Sequence, residues 1–112
     1  MALYKRLISS LEHCSVNEYL DLLHRDYVFI RHQTGEKVSK DDWAPTVTGM
    51  FKAMKDGNLR FSENRCIYEN DEILIMHNIG SFPDGTKESI LVAHTIKDGK
   101  ILKTESGATP IK

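Results

Sequence analysis

Three histidines, His32, His77 and His94, are the groups in this sequence best suited to move a proton near neutral pH. An imidazole titrates in that range and can accept and return a proton without strong perturbation. His32 closes the run Tyr27-Val28-Phe29-Ile30-Arg31. His77 and His94 each interrupt an otherwise apolar stretch. Side chains alternate along a strand, so His77 shares a face with Ile73, Ile75 and Ile79, and His94 shares one with Ile90, Val92 and Ile96. If both faces look into one cavity, the two rings form an acid/base pair that can polarise a carbonyl or shuttle a proton. The plainer alternatives are a solvent-exposed loop histidine at 32 and two core histidines satisfied by backbone or tyrosine hydroxyls.

Around these candidates stand residues fit to bind a small molecule. Trp43, Val47, Met50, Phe51 and Met54 recur at helical spacing and suit a pocket wall or an ordinary core. Tyr19 and Tyr4 can bring a hydroxyl to a cavity or lie at a helix surface. Arg31 and Arg60 can anchor an anionic ligand or serve as surface charge. The histidines lack the short spacing of a metal site, and none is expected. Neither a phosphate-cradling glycine loop nor a nucleophile elbow is present, so no cofactor is expected.

The elements that must position these groups follow from periodicity. Leu3, Leu7, Ile8 and Leu11 predict a first helix. Ser15-Val16-Asn17-Glu18 has the form of a capping box, and Val16, Tyr19, Leu20 and Leu23 carry a second helix to about His24. Tyr27 to Ile30 is a strand, Gln33 to Glu36 a turn, and Lys37-Val38 a weak return strand. Ser39 opens a third helix with Asp41 and Asp42 in its first turn, where the dipole favours them. Pro45 marks a later start or a kink there. Beyond Asp56-Gly57-Asn58 the period changes to strands over about 59–69, 72–82, 86–96 and 100–105, with Asp98-Gly99 as a tight hairpin turn. Strands gathered after helices predict α+β. The expected architecture is three N-terminal helices packed on a curved, mostly antiparallel sheet that encloses an apolar pocket.

Composition bounds the rest. The 112 residues suffice for one domain spanning 1–112, with a single core. Fifteen basic against sixteen acidic residues, with no basic stripe, speak against nucleic acid as a partner. The longest apolar run, Ile73 to Met76, is too short to span a bilayer, so no membrane partner is expected. No secretion signal is indicated, and a cytoplasmic location is the default. Cys14 and Cys66 read as buried free thiols in a reducing compartment, with a disulfide as the alternative. The strand from Glu72 to Phe82 is apolar on both faces, which points to a homodimer through the outer sheet face; cover by a segment of the same chain is the alternative.

In this order of elements the chain resembles a nuclear-transport-factor-2-like, or SnoaL-like, domain of the ketosteroid-isomerase-like group. SVNEYLDLLHRDYVF is similar to the family's second helix running into its first strand, VSKDDWAPTVTGMF to its junction into the third helix, and IKDGKI to its last hairpin. The resemblance implies a cone-shaped, cystatin-like α+β barrel with a pocket at its open end. It further implies a small-molecule-binding domain acting as an isomerase, cyclase or dehydratase on an apolar carbonyl compound. In isomerase- and cyclase-like members an aspartate near the end of the first strand is the base; here that place reads Val28-Phe29-Ile30-Arg31-His32, without a carboxylate. Asp26, Glu36 or His32 would have to replace it. The other reading is a non-catalytic dimeric binding or protein-interaction module of the same fold, because fold alone does not give function.

Overall fold

In the computed structural model, which describes residues 3–112, the chain runs helix, helix, hairpin, helix and then four long strands. Helix α1 spans Leu3–Glu12 and buries Leu3, Leu7 and Ser10. After the turn, Ser15 caps α2 (Val16–Asp21) by accepting from the Glu18 N–H at 3.2 Å. Only that half of the expected capping box forms. The Ser15 N–H instead donates to the Ser10 carbonyl, and the Glu18 carboxylate turns to Ser9 and His13.

Helix α2 ends at Asp21, earlier than its apolar stripe predicts. Strand pairing takes over at Leu23, whose register partner is Ile101. The carbonyls released at this junction are received by lysines: Lys100 Nζ donates to Asp21 O at 2.6 Å and Lys40 Nζ to Leu23 O at 3.2 Å. His24 is therefore a strand residue. Strand β1 runs Leu23–Arg31 and turns back into β2, Glu36–Ser39.

Ser39 caps α3 (Lys40–Lys55), accepting from the Asp42 N–H at 3.3 Å. The helix is continuous through Pro45, which lies in its second turn and withholds one backbone donor there. Its buried residues Trp43, Val47 and Phe51 face the sheet.

Strands β3 (Arg60–Glu69), β4 (Ile73–Ser81), β5 (Lys87–Lys97) and β6 (Lys100–Pro110) form an antiparallel meander. Asp98 and Gly99 both take positive φ, 55° and 76°, as a two-residue hairpin between right-twisted strands requires. The six strands make one open sheet in the order β2-β1-β6-β5-β4-β3. Every pairing is antiparallel except β1 with β6, which brings the first and last strands of the chain side by side inside the sheet. The core sits between the helices and one face of this sheet, with Leu74, Met76, Ile96 and Ile101 from the strands against Leu3, Leu7, Val47 and Phe51.

Two further expectations change. Strand β6 continues to Pro110, although Ser106-Gly107-Ala108-Thr109 has little strand propensity. Its pairing with β5 as far as Glu88–Pro110 overrides local preference. Of the two thiols, both free, Cys14 is half-buried and Cys66 is exposed, because β3 is an edge strand with little cover.

Candidate functional site

Sheet register determines which side chains reach the helices. On β4 the inner face carries Leu74, Met76 and Asn78, and the alternate residues Ile73, Ile75, His77 and Ile79 look outward. On β5 the inner face carries Glu88, Ile90, Val92, His94 and Ile96. His94 pairs with Leu74, whereas His77 pairs with Leu91, which is 52% exposed. The condition that His77 and His94 share one face is therefore not met: with this register the two rings point to opposite sides of the sheet.

Inside, a cavity of about 210 Å³ opens between the sheet and the helices. Cross-strand rows build its floor in order. Phe29, Thr104 and His94 form one row, Arg31, Ser106, Val92 and Met76 the next, and Ala108, Ile90 and Asn78 a third. Leu7, Leu11, Tyr19, Trp43, Val47, Met50 and Phe51 close it from the helices. The wall is predominantly apolar with a few polar groups, the usual make-up of a small-molecule site.

The ring of Trp43 stacks on Phe29 with centroids 4.1 Å apart and planes 7° from parallel. Its indole N–H donates to the Tyr19 hydroxyl at 2.9 Å. Burial pushes the Tyr19 hydroxyl pKa up, partly offset by that bond and by Tyr27. Burial also raises Tyr27, whose hydroxyl neighbours Tyr19 and Thr104 but makes no hydrogen bond of ordinary geometry. Thr104 Oγ1 in turn lies 2.8 Å from His94 Nδ1.

His94 is 5% exposed, and burial draws its pKa down to about 4 from 6.5. The ring is therefore neutral at pH 7, with Nδ1 held by Thr104.

The remaining candidates divide. Tyr19, Trp43, Met50 and Arg31 line the cavity. Arg31 stands beside Ser106, with its guanidinium carbon 5.4 Å from the Phe29 ring centre and Nε 3.7 Å from Glu36. Met54 packs on the core without lining the cavity. His32 is exposed and meets Glu105 at 3.0 Å, which holds that carboxylate below its ordinary range. On the outer face His77 Nε2 lies 2.6 Å from Ser89 Oγ, and Arg65 Nε donates to Nδ1 at 3.4 Å. An arginine donor at Nδ1 leaves the proton on Nε2, so His77 donates to Ser89 and does not activate it.

Neither Asp26 nor Glu36, the other possible substitutes for the missing base, lines the cavity. The carboxylate that does is Glu88, six residues along β5 from His94. Asn78, Glu88, Ser106 and Ala108 were not singled out from the sequence. Strict alternation from Leu74 and Met76 would have found Asn78. Among the described residues, no group of three or more His, Cys, Asp or Glu is placed to hold a metal ion. No described helix is long and apolar enough to cross a membrane.

No protein-family model matches the sequence. No curated protein matches it either. Solved structures do. A protein from Kribbella flavida, titled as a suggested ketosteroid isomerase, superposes with a TM-score of 0.80 at 15% identity, over 99% of this chain and 78% of its own. An NTF2-like protein of unknown function from Mesorhizobium loti gives 0.79 at 11% identity, over 96% and 88%. AclR from Streptomyces galilaeus, titled as a suggested hydroxylase, gives 0.70 at 17% identity, over 96% and 77%. At these identities the likeness speaks to fold. The chain has the nuclear-transport-factor-2-like fold: three helices on a six-stranded, mostly antiparallel sheet.

Proposed function

We propose that residues 1–112 form one SnoaL-like small-molecule-binding domain whose curved sheet and helices make a cone around a compact, largely apolar carbonyl compound. The observation that carries this reading is a neutral imidazole, His94, set in the wall of an apolar cavity. Apolar walls supply the binding energy, and one or two fixed polar groups orient the ligand. Thr104 anchors one ring nitrogen, which leaves Nε2 for the ligand. A neutral imidazole can hydrogen-bond a carbonyl and stabilise charge that develops on its oxygen. That is a step shared by isomerase, cyclase and dehydratase chemistry, with His94 as the catalytic group. Tyr19, Trp43, Met50 and Arg31 shape the ligand's surroundings in this reading.

A second reading is favoured by a specific observation: the nearest cavity carboxylate along β5, Glu88, is six residues from His94. Without a base at hand, the domain would bind and not turn over its ligand. Exposed Ile67, Tyr68 and Leu91 support pairing of two copies through the outer sheet face in either reading. Two free thiols suit a reducing compartment such as the cytoplasm.

Trp43, the chain's single tryptophan, reports on the cavity it lines. Titration with cyclic ketones such as 4-tert-butylcyclohexanone should change its fluorescence saturably, and Ser106→Leu, which fills the cavity, should abolish the change. A flat titration, or one indifferent to Ser106→Leu, defeats the proposal. Where turnover of a ketone is found, His94→Ala should lower it at least about tenfold; binding without turnover selects the second reading.

A further inference from the structure

Charge around the cavity is sparse and unevenly placed. Among the described residues Arg31 is the only arginine or lysine in its wall, and Glu88 the only carboxylate. Arg60 does not reach it. His94 is neutral at pH 7.

Strand register places these groups. One inner row runs from the sheet edge as Glu36, Arg31, Ser106, Val92 and Met76. Glu36 does not line the cavity, so the border falls at Arg31. The Arg31 guanidinium carbon is 5.4 Å from the ring centre of Phe29, two residues back on β1. Phe29 in turn stacks on Trp43 of α3, so the guanidinium lies on the helix side of the sheet, where the cavity is. Its side chain is 40% exposed and within reach of a guest. The ion pair with Glu36 is made through Nε at 3.7 Å, beyond hydrogen-bond distance, and Glu36 is itself open to solvent. Such a pair holds weakly. The terminal amino groups of Arg31 make no hydrogen bond among the described residues. Ser106, next in the row, adds a hydroxyl to the same corner.

Glu88 stands far from this corner. It is four residues from Val92 on β5, about 13 Å along the strand, on the side away from His94. The cavity thus has a positive corner at Arg31 and a negative end at Glu88. A ligand with one anionic group enters with that group at Arg31, because the opposite placement sets two carboxylates together. Arg31 and His94 stand on adjacent rows and two strands apart, about 12 Å between their Cα atoms. Both side chains line the cavity, so a single ring with substituents at opposite ends spans the interval left between them.

We propose that Arg31 is an anion-binding residue of this cavity: the ligand is a keto acid, whose carboxylate meets the Arg31 fork beside Ser106 while its carbonyl meets His94. This deepens the small-molecule reading above and rests on it. A guanidinium presents paired N–H groups that match the two oxygens of a carboxylate. A phosphate monoester carries close to two charges, which one arginine does not offset.

Calorimetric titration with two probes of nearly one shape tests the assignment: 4-acetylbenzoate and 4-acetylbenzamide. The amide keeps the ring, the ketone and a planar end group, and loses the charge. The carboxylate should bind at least about tenfold more tightly, as a hydrogen bond to a charged group contributes that much. Raising the sodium chloride concentration should weaken the carboxylate several-fold and spare the amide, because Arg31 is open to solvent. In Arg31→Gln the two affinities should come together. If that variant does not fold, the salt dependence decides the matter on the unaltered protein. Equal affinity for the two probes, or a preference that salt leaves unchanged, overturns the role of Arg31 and leaves the ketone-binding reading standing. A carboxylate preference that survives Arg31→Gln overturns it as well, since another group would then hold the acid. Failure of both probes where 4-tert-butylcyclohexanone binds means that the cavity refuses a polar end group, and overturns it too. Failure of both, together with a flat ketone titration, removes the binding reading and this inference with it.

Discussion

Replacing His94 by leucine removes a buried imidazole whose burial ties stability to pH. In the fold, burial draws this ring down to about 4 from an ordinary 6.5. In the unfolded chain it returns to the ordinary value. The groups around it, Thr104 and the hydroxyls of Tyr19 and Tyr27, are neutral and offer no counter-charge. Between the two values the unfolded chain takes up a proton that the native ring refuses. Stability is thus complete above about pH 6.5 and falls with pH until the native ring also protonates near pH 4. At ~1.36 kcal/mol per pH unit the loss is about 2 kcal/mol at pH 5 and about 3 kcal/mol by pH 4. That is a large part of a small domain's stability. Urea unfolding of the wild type and His94→Leu at pH 7.5, 6 and 5 measures it. Other acids titrate alike in both proteins, so the difference between the two curves isolates the ring. The wild type should lose about 2 kcal/mol more than the variant between pH 7.5 and 5. Parallel curves would refute the reasoning, because they would mean that the imidazole protonates in place with water at hand.

Trp43→Phe keeps much of the ring surface but removes the donor to the Tyr19 hydroxyl, so denaturant unfolding should show a loss of about 1–3 kcal/mol. A change within error would mean that this hydroxyl has another partner. A Cβ at Gly80 would stand 3.1 Å from both Ile90 Cδ1 and Phe82 Cζ, two cavity-lining side chains. Gly80→Ala should therefore destabilise by about 1 kcal/mol and weaken ketone binding; unaltered affinity would show that these side chains yield freely. Sedimentation velocity should find a dimer that Leu91→Glu converts to monomer, as the charge falls in the middle of the outer face. A wild-type monomer at micromolar concentration would end the dimer proposal.

How far the sequence could be read depended on the range of the interactions that decide each element. Helices α1 and α3 follow from their own stripes and caps, and the Asp98-Gly99 hairpin from two residues that tolerate positive φ. All of these are local. The end of α2 was misplaced because two lysines remote in sequence, Lys40 and Lys100, and pairing with Ile101 decide it. The last five residues of β6 were invisible for the same reason: Gly107 and Ala108 are strand residues because β5 lies beside them. Of the candidate residues on helices, Tyr19, Trp43 and Met50 line the cavity and Met54 does not, since a stripe shows which side faces the sheet but not how far the cavity extends. For His77 and His94, alternation gave the correct companions on each strand but not which set faces inward. That parity depends on cross-strand register, here Leu74 opposite His94, which no single strand encodes. Asn78 follows on the inner face by alternation from Leu74 and Met76, but the orientation of its amide depends on Asn64 and a bulge in the neighbouring strand.

The absence of an acid beside His94 bears on what the cavity can do. A carboxylate base becomes neutral when it takes a proton, which an apolar wall tolerates. An imidazole base becomes charged, and burial has already made that form unfavourable in this site. Unless the ligand brings its own negative charge to that point, His94 does better as a neutral hydrogen-bonding group that holds an oxygen than as the group that removes a proton from carbon. In the proposed function the ligand's oxygen would supply such charge only as it develops, so His94 would act on that oxygen. A bound ketone whose carbonyl oxygen lies within hydrogen-bond distance of His94 Nε2 is the geometry this requires. Ligand density with the carbonyl turned away from His94, toward Arg31, would remove His94 from the chemistry.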